Sequence, residues 1–122
     1  MRILYVEDNP ELRETIGMLM EGEGRTVTPC ASAEEALALD AGDPFDVLVT
    51  DVSLPGLSGT DLARQLLADD PQRWVVLCSG YELGSHPSNW GPNVRALLKP
   101  FELEELEQLL DSIQSALASA AG

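Results

Sequence analysis

A chain of 122 residues with 44% hydrophobic composition is the size of one domain with one core, and its formal charge of −14 excludes a phosphate-gripping nucleic-acid surface, which needs a basic face. That charge favours cations or basic partner surfaces instead. No apolar run is long enough for membrane insertion, Met1-Arg2-Ile3-Leu4 reads as a strand and not as a signal peptide, and two cysteines, Cys30 and Cys78, make no disulfide framework, so a reducing cytoplasmic setting is expected.

Ile3 to Val6 is a short apolar run and the first predicted strand. Asn9-Pro10 reads as an N-cap with proline in the first helical position, and Leu12, Ile16, Leu19 and Met20 follow at helical spacing until Gly22 and Gly24. Thr26 to Thr28 is a weak β-branched strand. Ser32-Ala33-Glu34-Glu35 is a capping box that opens a second helix through Ala36, Leu37 and Leu39, broken by Gly42-Asp43-Pro44. Asp46 to Thr50 is the third strand, followed by Asp51 and a turn at Pro55-Gly56. Ser58 caps a third helix carrying Leu62, Ala63, Leu66 and Leu67, which Asp69-Asp70-Pro71 stops. Trp74 to Cys78 is a fourth strand, and Cys78 within it is most simply a small buried residue. The stretch YELGSHPSNWGPN is interrupted by Gly84, Pro87, Gly91 and Pro92, so a regular helix there is not expected beyond a turn or two near Ser88 to Trp90. Val94 to Leu98 is the fifth strand. Leu103, Leu106, Leu109, Leu110, Ile113 and Leu117 mark a long amphipathic last helix, whose small-residue end from Ala116 to Gly122 is expected to fray.

Strands alternating with helices, several of them apolar throughout, predict a doubly wound α/β domain with a parallel sheet covered on both faces. Neither a repeat nor a linker divides residues 1–122, which read as one domain. In such sheets ligands bind beyond the carboxyl ends of the strands. The residues found there are Glu7 and Asp8, Asp51, Ser79, and Lys99 followed by Pro100. A five-stranded flavodoxin-like order, 2-1-3-4-5, would gather them into one pocket. Three crowded carboxylates raise each other's pKa and destabilise the site unless a cation lies between them, and Mg2+ suits an oxygen-only site that also takes a phosphate. With a lysine and a hydroxyl beside it, such a site suits transfer of a phosphoryl group to a carboxylate.

With these residues in place the chain resembles a response-regulator receiver domain of two-component signalling. The resemblance runs nearly the whole length: YVEDN after the first strand, TDVSLPGLSG at the third, LCSGY at the fourth and LLKPF before the last helix. It implies that Asp51 is the phosphoacceptor. It implies that Asp8 binds Mg2+ directly, Glu7 does so through water, and the backbone carbonyl of Ser53 is a further protein contact beside Asp51. Lys99 would pair with the phosphoryl group across a cis Lys99-Pro100 bond, and Ser79 would be the hydroxyl that moves to the phosphoryl oxygen. The implied partner is a histidine kinase or a histidine phosphotransfer protein, and a weak homodimer is a further expectation. The domain would be a signalling module and not an enzyme, although it assists its own phosphorylation and dephosphorylation. LCSGY and LLKPFELEEL are most similar to receivers attached to hybrid histidine kinases.

Each residue taken singly has a plainer reading. Asp8 and Asn9 can cap a helix, Asp51 can be a solvated turn residue, Lys99 can be surface, and Ser79-Gly80 can be a turn. A flavin carrier would need a phosphate-cradling loop where the acidic Glu7-Asp8 stands. An aspartate-nucleophile phosphatase would need a second acid, and Asp51-Val52-Ser53 lacks it. A degenerate receiver used only for protein contacts is the alternative function. His86 reads as a solvated loop residue, Trp74 and Trp90 as packing or rim residues, and Glu102, Glu104, Glu105 and Glu107 as a solvated helix face. The position three before Lys99, aromatic in many receivers, is Ala96. A response that orders or shifts residues 80–92 is therefore expected in place of an inward-swinging ring.

Overall fold

The computed structural model describes residues 1–22, 24–80 and 90–121. Asn9 accepts hydrogen bonds from the amides of Glu11 (3.0 Å) and Leu12 (3.2 Å), so α1 (Pro10–Met20) starts at its predicted cap. The Ser32 hydroxyl accepts from the Glu35 amide at 3.1 Å and opens α2 (Ala33–Gly42) in the same way. Ser58 accepts from the Asp61 amide at 3.1 Å at the head of α3 (Gly59–Asp69). The last helix, α4, runs Leu103–Ala121. It continues through the small residues that follow Ala116, where alanine, the best helix former, is frequent.

Five strands lie between these helices: β1 (Arg2–Val6), β2 (Thr26–Cys30), β3 (Val47–Asp51), β4 (Trp74–Ser79) and β5 (Val94–Leu98). They form one parallel sheet in the order β2-β1-β3-β4-β5, the predicted flavodoxin-like arrangement. Four strands differ in their limits from expectation, β1 by starting at Arg2. β2 continues through Pro29 to Cys30, because β2 is an edge strand and proline's missing N–H can face away from the sheet. β3 starts at Val47 and includes Asp51. Asp46 stays outside, where its carboxylate accepts from the Arg2 amide at 2.8 Å. β4 includes Ser79. Of the segment expected to lack a regular helix, residues 81–89, His86 among them, lie outside the described residues.

The sheet's two faces bury two cores, as the two-residue period of strands requires. Leu4, Val6, Leu48, Val75, Leu77 and Val94 meet α2 and α3 through Ala33, Ala36, Leu62 and Leu66. Ile3, Tyr5, Val47, Val49, Val76, Cys78 and Leu97 meet α1 and α4 through Met20, Leu106, Leu110 and Ile113. Trp74 and Trp90 pack against these cores as partly buried residues.

Two buried arginines tie helices to the sheet. Arg73 grips Asp40 with two bonds of 2.8 and 3.2 Å, and Asp40 also accepts from the Phe45 amide at 3.0 Å. Arg25, before β2, bonds Gln114 (2.9 Å), Glu107 (3.0 Å) and Asp111 along α4. Glu107 is therefore an ion-pair partner and not part of a purely solvated face. All seven lysine and arginine side chains engage groups of the chain itself. Besides Arg73 and Arg25, Arg2 pairs with Asp43, Arg13 with the Glu7 carbonyl and Lys99 with Asp51, while Arg64 lies over Trp90 and Arg95 over Trp74.

Candidate functional site

The strand ladders carry the candidate residues to one edge of the sheet. Past β1, the Glu7 amide still donates to the Cys30 carbonyl (3.1 Å), so Glu7 prolongs the row of Ile3 and Tyr5. Asp51 ends the row of Val47 and Val49 on the neighbouring β3. Past β5, the Lys99 amide donates to the Ser79 carbonyl at 2.6 Å, which holds Lys99 in the row of Leu97. One small cavity is accordingly lined by Glu7, Asp51 and Lys99 together with Tyr5, Val49, Cys78 and Leu106. Ser79 ends the opposite row, after Val75 and Leu77, and is buried. The period-two alternation thus puts three charged groups on the α1–α4 side and the hydroxyl of Ser79 in the row facing α2 and α3.

Carboxylate oxygens of Glu7, Asp8 and Asp51 lie within 4.8 Å of one another. Lys99 Nζ is 3.1 Å from Asp51 Oδ1 and 3.9 Å from Glu7 Oε1. Glu7 is only 4% exposed. Burial pushes its carboxyl above the usual range; Lys99 opposes this, and the charges of Asp51 and Asp8, with a hydrogen bond that the protonated Glu7 carboxyl donates to Asp8, add to it. Burial works against the Lys99 ammonium, but its hydrogen bond to Asp51 and the fields of Asp51 and Glu7 outweigh that and hold its pKa above the ordinary lysine value. One lysine against three carboxylates leaves a surplus of negative charge in a partly buried place. An oxygen-only donor set of that kind fits a hard dication such as Mg2+. The nearest sulfur does not compete, because burial pushes the Cys78 thiol up to about 12 and keeps it protonated.

The other candidates take their places around this cluster. Ser53 stands two residues past β3, exposed, in the connection to α3. That connection turns at Pro55-Gly56, where Gly56 has φ +75°, a conformation that glycine adopts without strain. The Lys99-Pro100 bond is cis. Ala96 is exposed on β5, on the face that carries Ser79. An open cavity of about 460 Å³ adjoins the cluster, lined by Tyr5, Glu7, Leu12, Ile16, Lys99, Pro100 and Phe101. Three neighbours carry no mark in the sequence pattern. Arg13 Nη1 donates to the Glu7 carbonyl at 2.8 Å, Thr50 Oγ1 donates to the Asp51 carbonyl at 3.0 Å, and Tyr5 lines both cavities. Arg13 sits on the helix after YVEDN, but nothing in its spacing says that it turns back to the strand.

Comparison with known proteins agrees with this geometry. The family described as "Response regulator receiver domain" matches residues 3–111. The chain is 31% identical over 121 residues to the two-component response regulator PhoP of Pseudomonas aeruginosa, covering 93% of this chain and 51% of that protein. It spans, then, about half the length of that relative. It is 29% identical over 121 residues to the response regulator receiver protein CpdR of Brucella abortus, covering 98% of each. Among solved structures, the receiver domain of the hybrid histidine kinase CckA matches with TM-score 0.75 and 30% identity, over 93% of this chain and 98% of that one. No helix among the described residues is long and apolar enough to cross a membrane.

Proposed function

We propose, because the chain belongs to the response regulator receiver domain family, that Asp51 accepts a phosphoryl group from a phosphohistidine of a kinase or phosphotransfer protein. Receiver domains are signalling modules of two-component systems and bind Mg2+ at an acidic pocket. The reading here is that residues 1–122 form a single such domain.

In the proposed reaction an Asp51 carboxylate oxygen attacks phosphorus. A P–O bond forms, the P–N bond of the donor breaks, and the departing imidazole nitrogen takes a proton. Asp51 is suited to this because it ends a central strand only partly exposed, with Lys99 Nζ 3.1 Å away. The Lys99 ammonium, kept charged by its acidic neighbours, is poised to exchange its bond to Asp51 for one to a phosphoryl oxygen. Glu7, Asp8, Asp51 and the Ser53 carbonyl would hold Mg2+. When bound, the ion supplies charge neutralisation for the attacking carboxylate and the phosphoryl oxygens. Arg13 steadies Glu7 from behind through its main-chain carbonyl. Ser79, in the opposite row of the sheet, supplies a hydroxyl that reports the phosphoryl group to the α3 side of the domain.

The observation that carries the proposal is the convergence of Glu7, Asp8 and Asp51 within 4.8 Å, with Lys99 on Asp51. The test is incubation with acetyl phosphate and Mg2+, read by intact mass. One phosphoryl group is expected on the wild type and none on Asp51→Asn, since an amide is a poor nucleophile. Equal labelling of the two proteins, or labelling that survives chelation, would overturn it.

A further inference from the structure

The residue at the head of α3 presses on the residue proposed to react. A Cβ placed on Gly59 would lie 2.0 Å from the carbonyl oxygen of Asp51, 2.9 Å from its carbonyl carbon and 3.0 Å from Val52 Cα. All three are main-chain atoms, with no rotamer to turn aside. Gly59 is not among the glycines of positive φ, which are Gly24 and Gly56 among the described residues. Space, and not backbone freedom, is what this position requires.

The close approach is locked on every side. The Gly59 amide donates to the Val52 carbonyl at 3.0 Å, and the Val52 amide donates to the Cys78 carbonyl on β4 at 2.9 Å. Ser58 fixes the first turn of α3 through Asp61. From the strand side, Thr50 Oγ1 donates to the same Asp51 carbonyl that faces Gly59, at 3.0 Å. Thr50 is completely buried, and its hydroxyl is a polar group that a valine of equal shape would lack. The peptide unit that carries the Asp51 side chain is therefore clamped between a helix start and a strand hydroxyl.

We infer that Gly59 and Thr50 are positioning residues for phosphoryl transfer: together they hold the Asp51 main chain where its carboxylate meets Lys99, Glu7 and Asp8. The inference rests on the reading of Asp51 as acceptor. A side chain hung from a displaced main chain misses its partners, and a misplacement of about 1 Å can cost about a hundredfold in rate.

The experiment compares wild type, Gly59→Ala, Thr50→Val and Thr50→Ser with acetyl phosphate at saturating Mg2+. Initial rates are measured against donor concentration, and melting curves are recorded in parallel. The expected result is a fall of about tenfold or more in the saturating rate for Gly59→Ala and about three- to tenfold for Thr50→Val. The half-saturating donor concentration should stay unchanged, and Thr50→Ser should recover the wild-type rate. A merely structural role would lower the melting temperature and leave the saturating rate of the folded protein intact; that result overturns the inference. If Gly59→Ala does not fold, the two Thr50 variants decide by the same criteria. If the wild type takes up no phosphoryl group, the acceptor reading fails, and the crystal structure of Gly59→Ala judges the positioning alone. A Lys99–Asp51 separation opened from 3.1 Å supports it, and an unchanged one refutes it.

Discussion

Replacing Asp8 with asparagine should make the metal-free protein more stable. The three carboxylates approach within 4.8 Å. At that distance two like charges repel by about 0.9 kcal/mol in bulk water and by about 3.5 kcal/mol at an effective dielectric of about 20. Asp8 is exposed, so solvent screening puts its two pairs, with Glu7 and Asp51, near the lower figure, about 1–2 kcal/mol together. Against this stands the loss of a negative charge beside the N-terminus of α1, about 0.3–1 kcal/mol. The net gain is about 1 kcal/mol, or about 4 °C in melting temperature for a domain of this size. Magnesium should reverse the order. An ion present at about a hundredfold its Kd adds about 2.7 kcal/mol to a protein that binds it only when folded. The variant, having lost one of the proposed ligands, should gain less. The assay is thermal unfolding by circular dichroism at neutral pH and low ionic strength, in chelator and in millimolar magnesium chloride, with sodium chloride matching the ionic strength. An Asp8→Asn variant that melts below wild type in chelator would refute the repulsion, and magnesium that shifts both proteins equally would refute Asp8 as a metal ligand.

Glu7 should leave a pH signature in metal-free protein. Its carboxyl is raised on folding, so between the ordinary glutamate value of about 4.3 and the raised one the folded chain binds more protons than the unfolded chain. Glu7's contribution is fully present below the ordinary value and is lost as pH rises through the raised one, and Glu7→Gln should flatten that part of the denaturant-midpoint profile; a profile identical to wild type would refute the reasoning. At the buried ion pair, Asp40→Asn leaves Arg73 charged with only the more distant carboxylate of Asp70, at 3.8 Å, which should cost about 3 kcal/mol in urea unfolding. The double variant Asp40→Leu/Arg73→Met should recover most of that loss, and an additive double loss would mean that the two side chains matter separately.

The site was legible because its residues follow apolar runs. Glu7, Asp51, Ser79 and Lys99 each come where a buried strand gives out, and the alternation of strands and helices says that those ends lie together. What stayed hidden depends on contacts that no local pattern encodes. Pro29 hides the end of β2, since whether proline is tolerated depends on whether the strand is an edge. Glu107 looks like one more solvated acid, because its partner Arg25 lies 82 residues earlier. Gly59 looks like a residue at a helix start, and only the packed structure shows the carbonyl it must clear. Local chemistry is written in neighbouring residues, whereas long-range partners are written in the fold.

The internal engagement of every lysine and arginine has a consequence beyond the fold. With its few cations engaged by groups of its own chain, the domain presents a far field of one sign, carried by an excess of 14 acidic charges. Charge of that kind acts over about 10 Å at about 0.1 M salt and guides encounter more than it strengthens a formed contact. A basic partner surface is drawn in, and its capture rate falls steeply as salt is added. A second copy of the chain is pushed away, so any homodimer must form more readily as salt rises. The two kinds of association therefore answer ionic strength with opposite signs, and a salt titration distinguishes them before either interface is known.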